Sequence, residues 1–254
     1  MISKTIKNAV IFGCKGPRLT EVEFDFFKET LPFGFILFSR NIVNSKQVNE
    51  LCQSLRDAVG WYAPILIDQE GGRVQRIKPP LALDRLPPLD EAQKAGQDAK
   101  SIFKLRFSAI AKELLSLGID FNCAPVLDIA RPTTHRFLRN RCYGLSKSDV
   151  ISLGRVAYYA LKSNGIFPII KHMPGHGLAS HDSHFELPVV KASKKELLAN
   201  DFAVFRTFCD AEIAMSAHVL FESIDPHSPA STSKKLMDII RNDIKFSGLL
   251  ISDD

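Results

Sequence analysis

A chain of 254 residues, 45% of them hydrophobic, is long enough to bury one large core. Its formal charge of +5 comes from 33 basic and 28 acidic residues with no dense basic run, which points to a soluble, mildly cationic protein and away from a nucleic-acid binder. No apolar stretch approaches the roughly 20 residues that span a bilayer, and the run after the polar segment Met1 to Asn8 is too short for a secretory signal core. Cys14, Cys52, Cys123, Cys142 and Cys209 are odd in number and scattered without CxxC spacing, which argues against a disulfide framework or structural zinc and fits a reducing cytoplasm.

Taken in chain order, short apolar runs alternate with helix-periodic segments. A strand is predicted at Ala9–Phe12. Thr20 and Glu23 then form a T-x-x-E capping box that opens a helix running toward Pro32. The run Phe35–Phe38 leads to Arg40, and Val48, Leu51, Cys52, Leu55 and Val59 make an apolar stripe that Gly60 can close. Pro64–Ile67 ends at Asp68. Leu105, Ala109, Leu114 and Leu117 predict a helix ahead of Gly118, and Phe121–Leu127 ends at Asp128. A further helix carries Val150, Leu153, Val156, Ala157 and Leu161 up to Gly165, before Ile166–Ile170 runs into Lys171 and His172. Ser193 and Glu196 make a second capping box ahead of Leu197, Leu198, Phe202 and Phe205. The runs Ile213–Ala217 and Leu249–Ile251 end at His218 and Asp253.

Continuous rather than alternating hydrophobicity marks parallel strands buried on both faces. Repeated βα units without a linker favour an α/β fold of the (β/α)8 TIM-barrel type, with a doubly wound open sheet as the competing architecture. In a barrel, Arg40, Asp68, Asp128, Lys171, His172, His218 and Asp253 all fall on the carboxyl-end rim, where catalytic groups converge.

The densest cluster is Lys171-His-Met-Pro-Gly-His-Gly177 with His181-Asp-Ser-His184. His172 and His176 are four apart, a zinc-binding spacing only on a helix, and Pro174, Gly175 and Gly177 oppose a helix there. An acid–base reading suits the segment better. Asp182 and His184 point the same way in an extended stretch, so the carboxylate can orient the imidazole and stabilise its protonated form. A surface loop with solvated histidines is the plainer alternative. In Asp68-Gln-Glu-Gly-Gly-Arg-Val-Gln-Arg76 the paired glycines allow a sharp turn, Asp68 can accept from ligand hydroxyls, and Arg73 or Arg76 can hold ligand oxygens. The segment lacks the G-K-[ST] ending of a phosphate loop. Asn140-Arg-Cys-Tyr-Gly144 places Arg141 in a loop after the Asp128 strand.

These motifs, with Asn122-x-x-Pro125-Val-Leu-Asp128 and Ile251-Ser-Asp253, resemble the bacterial β-N-acetylhexosaminidases of glycoside hydrolase family 3 from about Val10 to the last residue. The K-H-x-P-G-H-G…D-S-H segment sets this branch apart from the family's β-glucosidases. The resemblance implies a retaining exo-β-N-acetylglucosaminidase acting on peptidoglycan fragments in the cytoplasm. Asp253 would be the nucleophile and His184, oriented by Asp182, the acid–base. Asp68, Arg76, Arg141, Lys171 and His172 would grip the sugar, with no cofactor or metal and a carbohydrate as the only implied partner. Strand alternation by itself leaves Asp253 and Asp254 equivalent as the inward-facing residue.

Seven predicted strands make residues 1–254 one barrel domain that lacks its last strand and helices. That incompleteness keeps open a catalytically impaired fragment or sugar-binding pseudoenzyme, and a β-glucosidase of the same family is a further alternative.

Overall fold

The computed structural model describes residues 8–179 and 187–253. Asn8–Gly13 (β1) leads into Glu21–Thr30 (α1), where Thr20 and Glu23 complete the expected capping box. Pro32–Leu37 (β2) is followed by Ser45–Val59 (α2), which is capped by Asn44 and closed by Gly60 in the left-handed region. Ile65–Ile67 (β3) continues into a small hairpin of Gln69–Gly71 (β4) and Val74–Gln75 (β5). Helices Pro88–Ala95 (α3) and Ala99–Ser116 (α4) precede Phe121–Asn122 (β6). The short helix Arg136–Arg139 (α5) and the long Lys147–Ser163 (α6) lead to Phe167–Met173 (β7). Val189–Val190 (β8), Lys194–Ala199 (α7) and Asp201–Arg206 (α8) follow. Ile213–Ser216 (β9), Leu220–Phe221 (β10), Lys234–Asp238 (α9) and Leu249–Ser252 (β11) complete the described chain.

All seven predicted strands join one parallel sheet in the order β1-β2-β3-β6-β7-β9-β11. The sheet curls. Ile11, Ile36, Leu66, Phe121, Cys123, Ile169, Ile213, Met215 and Ile251 pack together on its concave side. Ile11 of the first strand and Leu249 and Ile251 of the last line the same small apolar space, so the two ends of the sheet face a common axis. The residues between them in sequence, such as Ile65, Ile67, Ile170 and Ala214, pack outward against the helices. The fold is therefore a seven-stranded curled α/β half-barrel, and no eighth strand bridges β11 to β1 among the described residues. Among them, too, no helix is long and apolar enough to cross a membrane.

Several sequence expectations need correction. The buried face of α4 is Phe103, Phe107, Ile110, Ala111 and Leu114, whereas Leu105 is 68% exposed. Phe103, Phe107, Ile110 and Leu114 fall at steps of four, three and four and share one narrow face, and Leu105 lies on the opposite side. The apolar run Phe121–Leu127 is a ladder strand only at Phe121–Asn122. Pro125 supplies no amide donor, and the chain beyond it touches β7 through an isolated bridge of Val126 with Lys171. Ser193 does cap α7 by accepting from the Glu196 amide, but the reciprocal half of the predicted box is not formed. The predicted helix after Ser193 breaks at Asn200 into α7 and α8.

Candidate active site

The carboxyl ends of β3, β6 and β7 deliver a buried ionic network. Asp68 follows β3 with the inward parity of Leu66, and its carboxylate accepts from Lys171 Nζ at 2.8 Å and Arg76 Nη2 at 2.9 Å. Glu70 is carried on β4, whose turn brings the side chain back into the barrel. It receives Lys171 Nζ at 2.6 Å and a two-pronged contact from Arg141, Nε at 2.9 Å and Nη2 at 2.8 Å. Lys171 thus sits between two carboxylates while itself only 2% exposed.

Charges this deeply buried survive only when paired. Burial alone would push the Glu70 carboxyl up, but Arg141 and Lys171 outweigh it and hold it at about 2. Burial likewise acts against Asp68, and Lys171 and Arg76 reverse the effect and keep it well below the usual carboxylate range. The cations respond in kind. Burial works against charge on Lys171 and Arg141, yet Asp68 and Glu70 hold Lys171 charged and Glu70 holds Arg141 charged.

His172 extends the network to the next strand end. Its Nδ1 lies 2.7 Å from Asp128 Oδ2, and its Nε2 lies 3.4 Å from Arg141 Nη2. A guanidinium can only donate, so Nε2 accepts, and Nδ1 carries the proton it gives to Asp128. In this tautomer His172 presents an acceptor, never a donor, toward Arg141 and any ligand hydroxyl beside it. Asp128 also accepts from the His176 backbone amide at 2.6 Å. Burial opposes a charge on Asp128, but His172 and the His176 amide, which both donate to it, hold its carboxyl below the ordinary carboxylate range.

His176 is 2% exposed, with its ring edge-on to His172 and to Phe137. Neither of its ring nitrogens has a hydrogen-bond partner among the described residues. Burial, helped by the neighbouring His172, pulls its pKa down to about 4, so it is neutral near pH 7. His172 and His176 do not share a helix, because β7 ends at Met173 and a turn follows.

Asp253 follows β11. Ile251 faces the barrel interior while Leu250 packs toward the helices, so alternation gives Asp253 the interior side. Its charge reaches Cys123 on the barrel axis and His176 at the mouth. Among the described residues it has no ion pair, unlike Asp68, Glu70 and Asp128. Of the predicted site residues, Asp68, Arg76, Arg141, Lys171 and His172 are therefore brought into one hydrogen-bonded network, with Asp253 on the same rim. Asp182, His184 and Asp254 lie outside the described residues. Arg40 donates to the Cys14 carbonyl and His218 pairs with Ser231, so neither of these strand-end residues is hydrogen-bonded into the network.

Glu70 was the missed member, and Asp128, read only as a strand end, was given no role. Glu70 lies in the D-Q-E-G-G turn, where sequence gives no parity; only the hairpin geometry aims it at Lys171. Asp128 was visible as a strand end, but its two-sided grip on His172 and His176 was not.

A curled parallel half-barrel whose strand ends gather carboxylates, cations and a buried imidazole has the make-up of a glycoside hydrolase. Residues 18–254 match the glycosyl hydrolase family 3 N terminal domain, and the chain belongs to that family. It is 31% identical over 251 residues to a β-hexosaminidase of Haemophilus ducreyi, covering 96% of this chain and 72% of that protein. A β-hexosaminidase of Psychromonas ingrahamii is 32% identical, with 96% and 73% covered. Among solved structures, native NagZ from Neisseria gonorrhoeae superposes with a TM-score of 0.89 at 31% identity, over 98% of this chain and 74% of that one. The same NagZ in complex with N-trifluoroacetyl-D-glucosamine is equally similar.

Proposed function

We propose that this glycoside hydrolase is a retaining exo-β-N-acetylglucosaminidase, its six βα units and seventh strand belonging to one catalytic domain over residues 1–254. The observation that supports the reading is that Asp253, which has no ion pair among the described residues, follows β11 on the same rim as the Asp68–Lys171–Glu70–Arg141–His172 network. Relatives named β-hexosaminidase, and a NagZ complex with an N-acylglucosamine, support the sugar.

In this account the sugar lies over the network. Asp68 accepts from its hydroxyls, while Lys171 and Arg141 donate; His172 accepts. Arg76 steadies Asp68 from the solvent side. These groups are already paired and held by packing, so they need little reorganisation as positive charge grows on the ring. Asp253 attacks the anomeric carbon, its oxygen–carbon bond forming as the glycosidic carbon–oxygen bond breaks. His184, oriented by Asp182, gives its proton to the departing oxygen. Water then attacks the same carbon, returns a proton to His184 and releases Asp253. The single imidazole thus replaces the second carboxylate of most retaining enzymes. By resemblance, the natural substrates are peptidoglycan fragments ending in N-acetylglucosamine and the setting is the cytoplasm.

The test is release of nitrophenol from 4-nitrophenyl N-acetyl-β-D-glucosaminide by the purified chain, with Asp253→Ala as control. Turnover that vanishes in the variant is the expected result. Sugar binding without turnover by a folded chain would instead make it a sugar-binding protein, and turnover confined to the aryl glucoside would make it a β-glucosidase.

A further inference from the structure

The turn that follows β7, Pro174 to Ala179, is held by side chains from two other elements that the reaction itself does not use. Thr134, in the loop before α5, is 4% exposed. Its hydroxyl accepts from the Arg131 amide at 2.8 Å and donates to the Gly177 carbonyl at 2.6 Å. Arg131 in turn grips Asp201, the first residue of α8, through two parallel hydrogen bonds of 2.9 and 2.7 Å. The two glycines of the turn lie against this frame. At Gly175, φ is +143° and a Cβ would stand 2.8 Å from that of Asp201; at Gly177 a Cβ would stand 2.4 Å from the Ile129 carbonyl oxygen. The same turn takes the His176 amide onto Asp128, so its position is tied to the sugar-binding network.

We infer that Thr134 and the Arg131–Asp201 pair are positioning residues for proton transfer: they fix the turn from which the chain runs on to Asp182 and His184. This rests on the reading of His184 as the acid–base. A bidentate arginine–carboxylate pair is a rigid connector, and a hydroxyl that both accepts and donates fixes two backbone points at once. Fixing the turn matters because a misplaced acid forfeits part of the roughly 100-fold or greater gain that a positioned one gives.

The experiment compares kcat/KM of the full chain on phenyl and 2,4-dinitrophenyl N-acetyl-β-D-glucosaminide, for wild type, Thr134→Val, Thr134→Ser and His184→Ala. Phenolate is a poor leaving group and needs the proton; dinitrophenolate does not. Thr134→Val keeps shape and removes the hydroxyl. It should lower kcat/KM on the phenyl glycoside by about tenfold or more and on the dinitrophenyl glycoside by less than about threefold. Thr134→Ser restores the hydroxyl and should restore the phenyl rate, and His184→Ala should show the same tilt, more strongly. Equal losses on both substrates in Thr134→Val, while His184→Ala tilts, would overturn the positioning role and leave the acid–base reading standing. No tilt in His184→Ala would remove the acid–base reading and the positioning role with it.

Discussion

Glu70 meets Arg141 through two parallel hydrogen bonds of 2.9 and 2.8 Å in a pocket where neither side chain is more than 9% exposed. Arg141 is one of the proposed sugar-binding groups, and Glu70 fixes where it can point. Removing the Glu70 charge leaves Arg141 and Lys171 buried without their shared carboxylate, with Asp68 and the more weakly acting Asp128 to offset them. Glu70→Gln should therefore cost about 3–5 kcal/mol of stability, the range for breaking a buried ion pair from one side. Urea unfolding of both proteins measures it. A loss under about 1 kcal/mol would mean that water or a rearranged Asp68 compensates.

Asp68 accepts from two cations and, in the proposed complex, from the sugar as well. Asp68→Asn keeps the size but turns one acceptor into a donor facing Lys171. A hydrogen bond to a charged group is worth roughly 1.5–3 kcal/mol, so loss of sugar contact and repositioning of Lys171 together should lower kcat/KM by about 100-fold. Steady-state kinetics on the nitrophenyl glycoside, with a thermal melt to confirm folding, reads this directly. Near-wild-type kinetics in a folded variant would remove Asp68 from the sugar site.

His176 makes stability depend on pH in a definite direction. In the unfolded chain an imidazole takes up a proton near pH 6.5, whereas in the folded protein burial delays this until about 4. Between those values the unfolded chain binds the extra proton, so the contribution is complete above pH 6.5 and is lost as pH falls toward 4. The loss amounts to about 3 kcal/mol from this group. Denaturation midpoints at pH 7 and pH 4.5 should separate widely in wild type and less in His176→Gln. Below about pH 4, protonation of Glu70 and Asp68 adds to the loss, because both are held below their ordinary values. An identical pH dependence in the two proteins would show that His176 is not held neutral.

Much of the fold was legible because buried parallel strands write themselves as unbroken apolar runs. Ile213 to Ala217 and Ile166 to Ile170 could scarcely be read otherwise, and the Thr20–Glu23 box and the Gly60 helix end follow local capping chemistry. What was not legible depends on which of two competing faces the tertiary structure buries. Leu105 and Phe103 both suit a helix core, and only packing against the barrel selects Phe103. In the site, strand ends revealed Asp68, Asp128, Lys171 and His172, since a polar residue directly after an apolar run marks the rim. Glu70 was hidden because a two-glycine turn erases parity, so its aim at Lys171 comes from long-range geometry. The inward choice of Asp253 also came from packing: Ile251 on the axis fixes the alternation that sequence leaves open.

A covalent bond between Asp253 and the sugar would show in the mass of the protein quenched during turnover of an activated N-acetylglucosaminyl substrate that accumulates the intermediate. The expected result is a gain of one N-acetylglucosaminyl group, localised by peptide mapping to the segment ending in Ile251-Ser-Asp253 and absent in Asp253→Ala. Turnover with no adduct and an inverted product, or an adduct on another carboxylate, would contradict it.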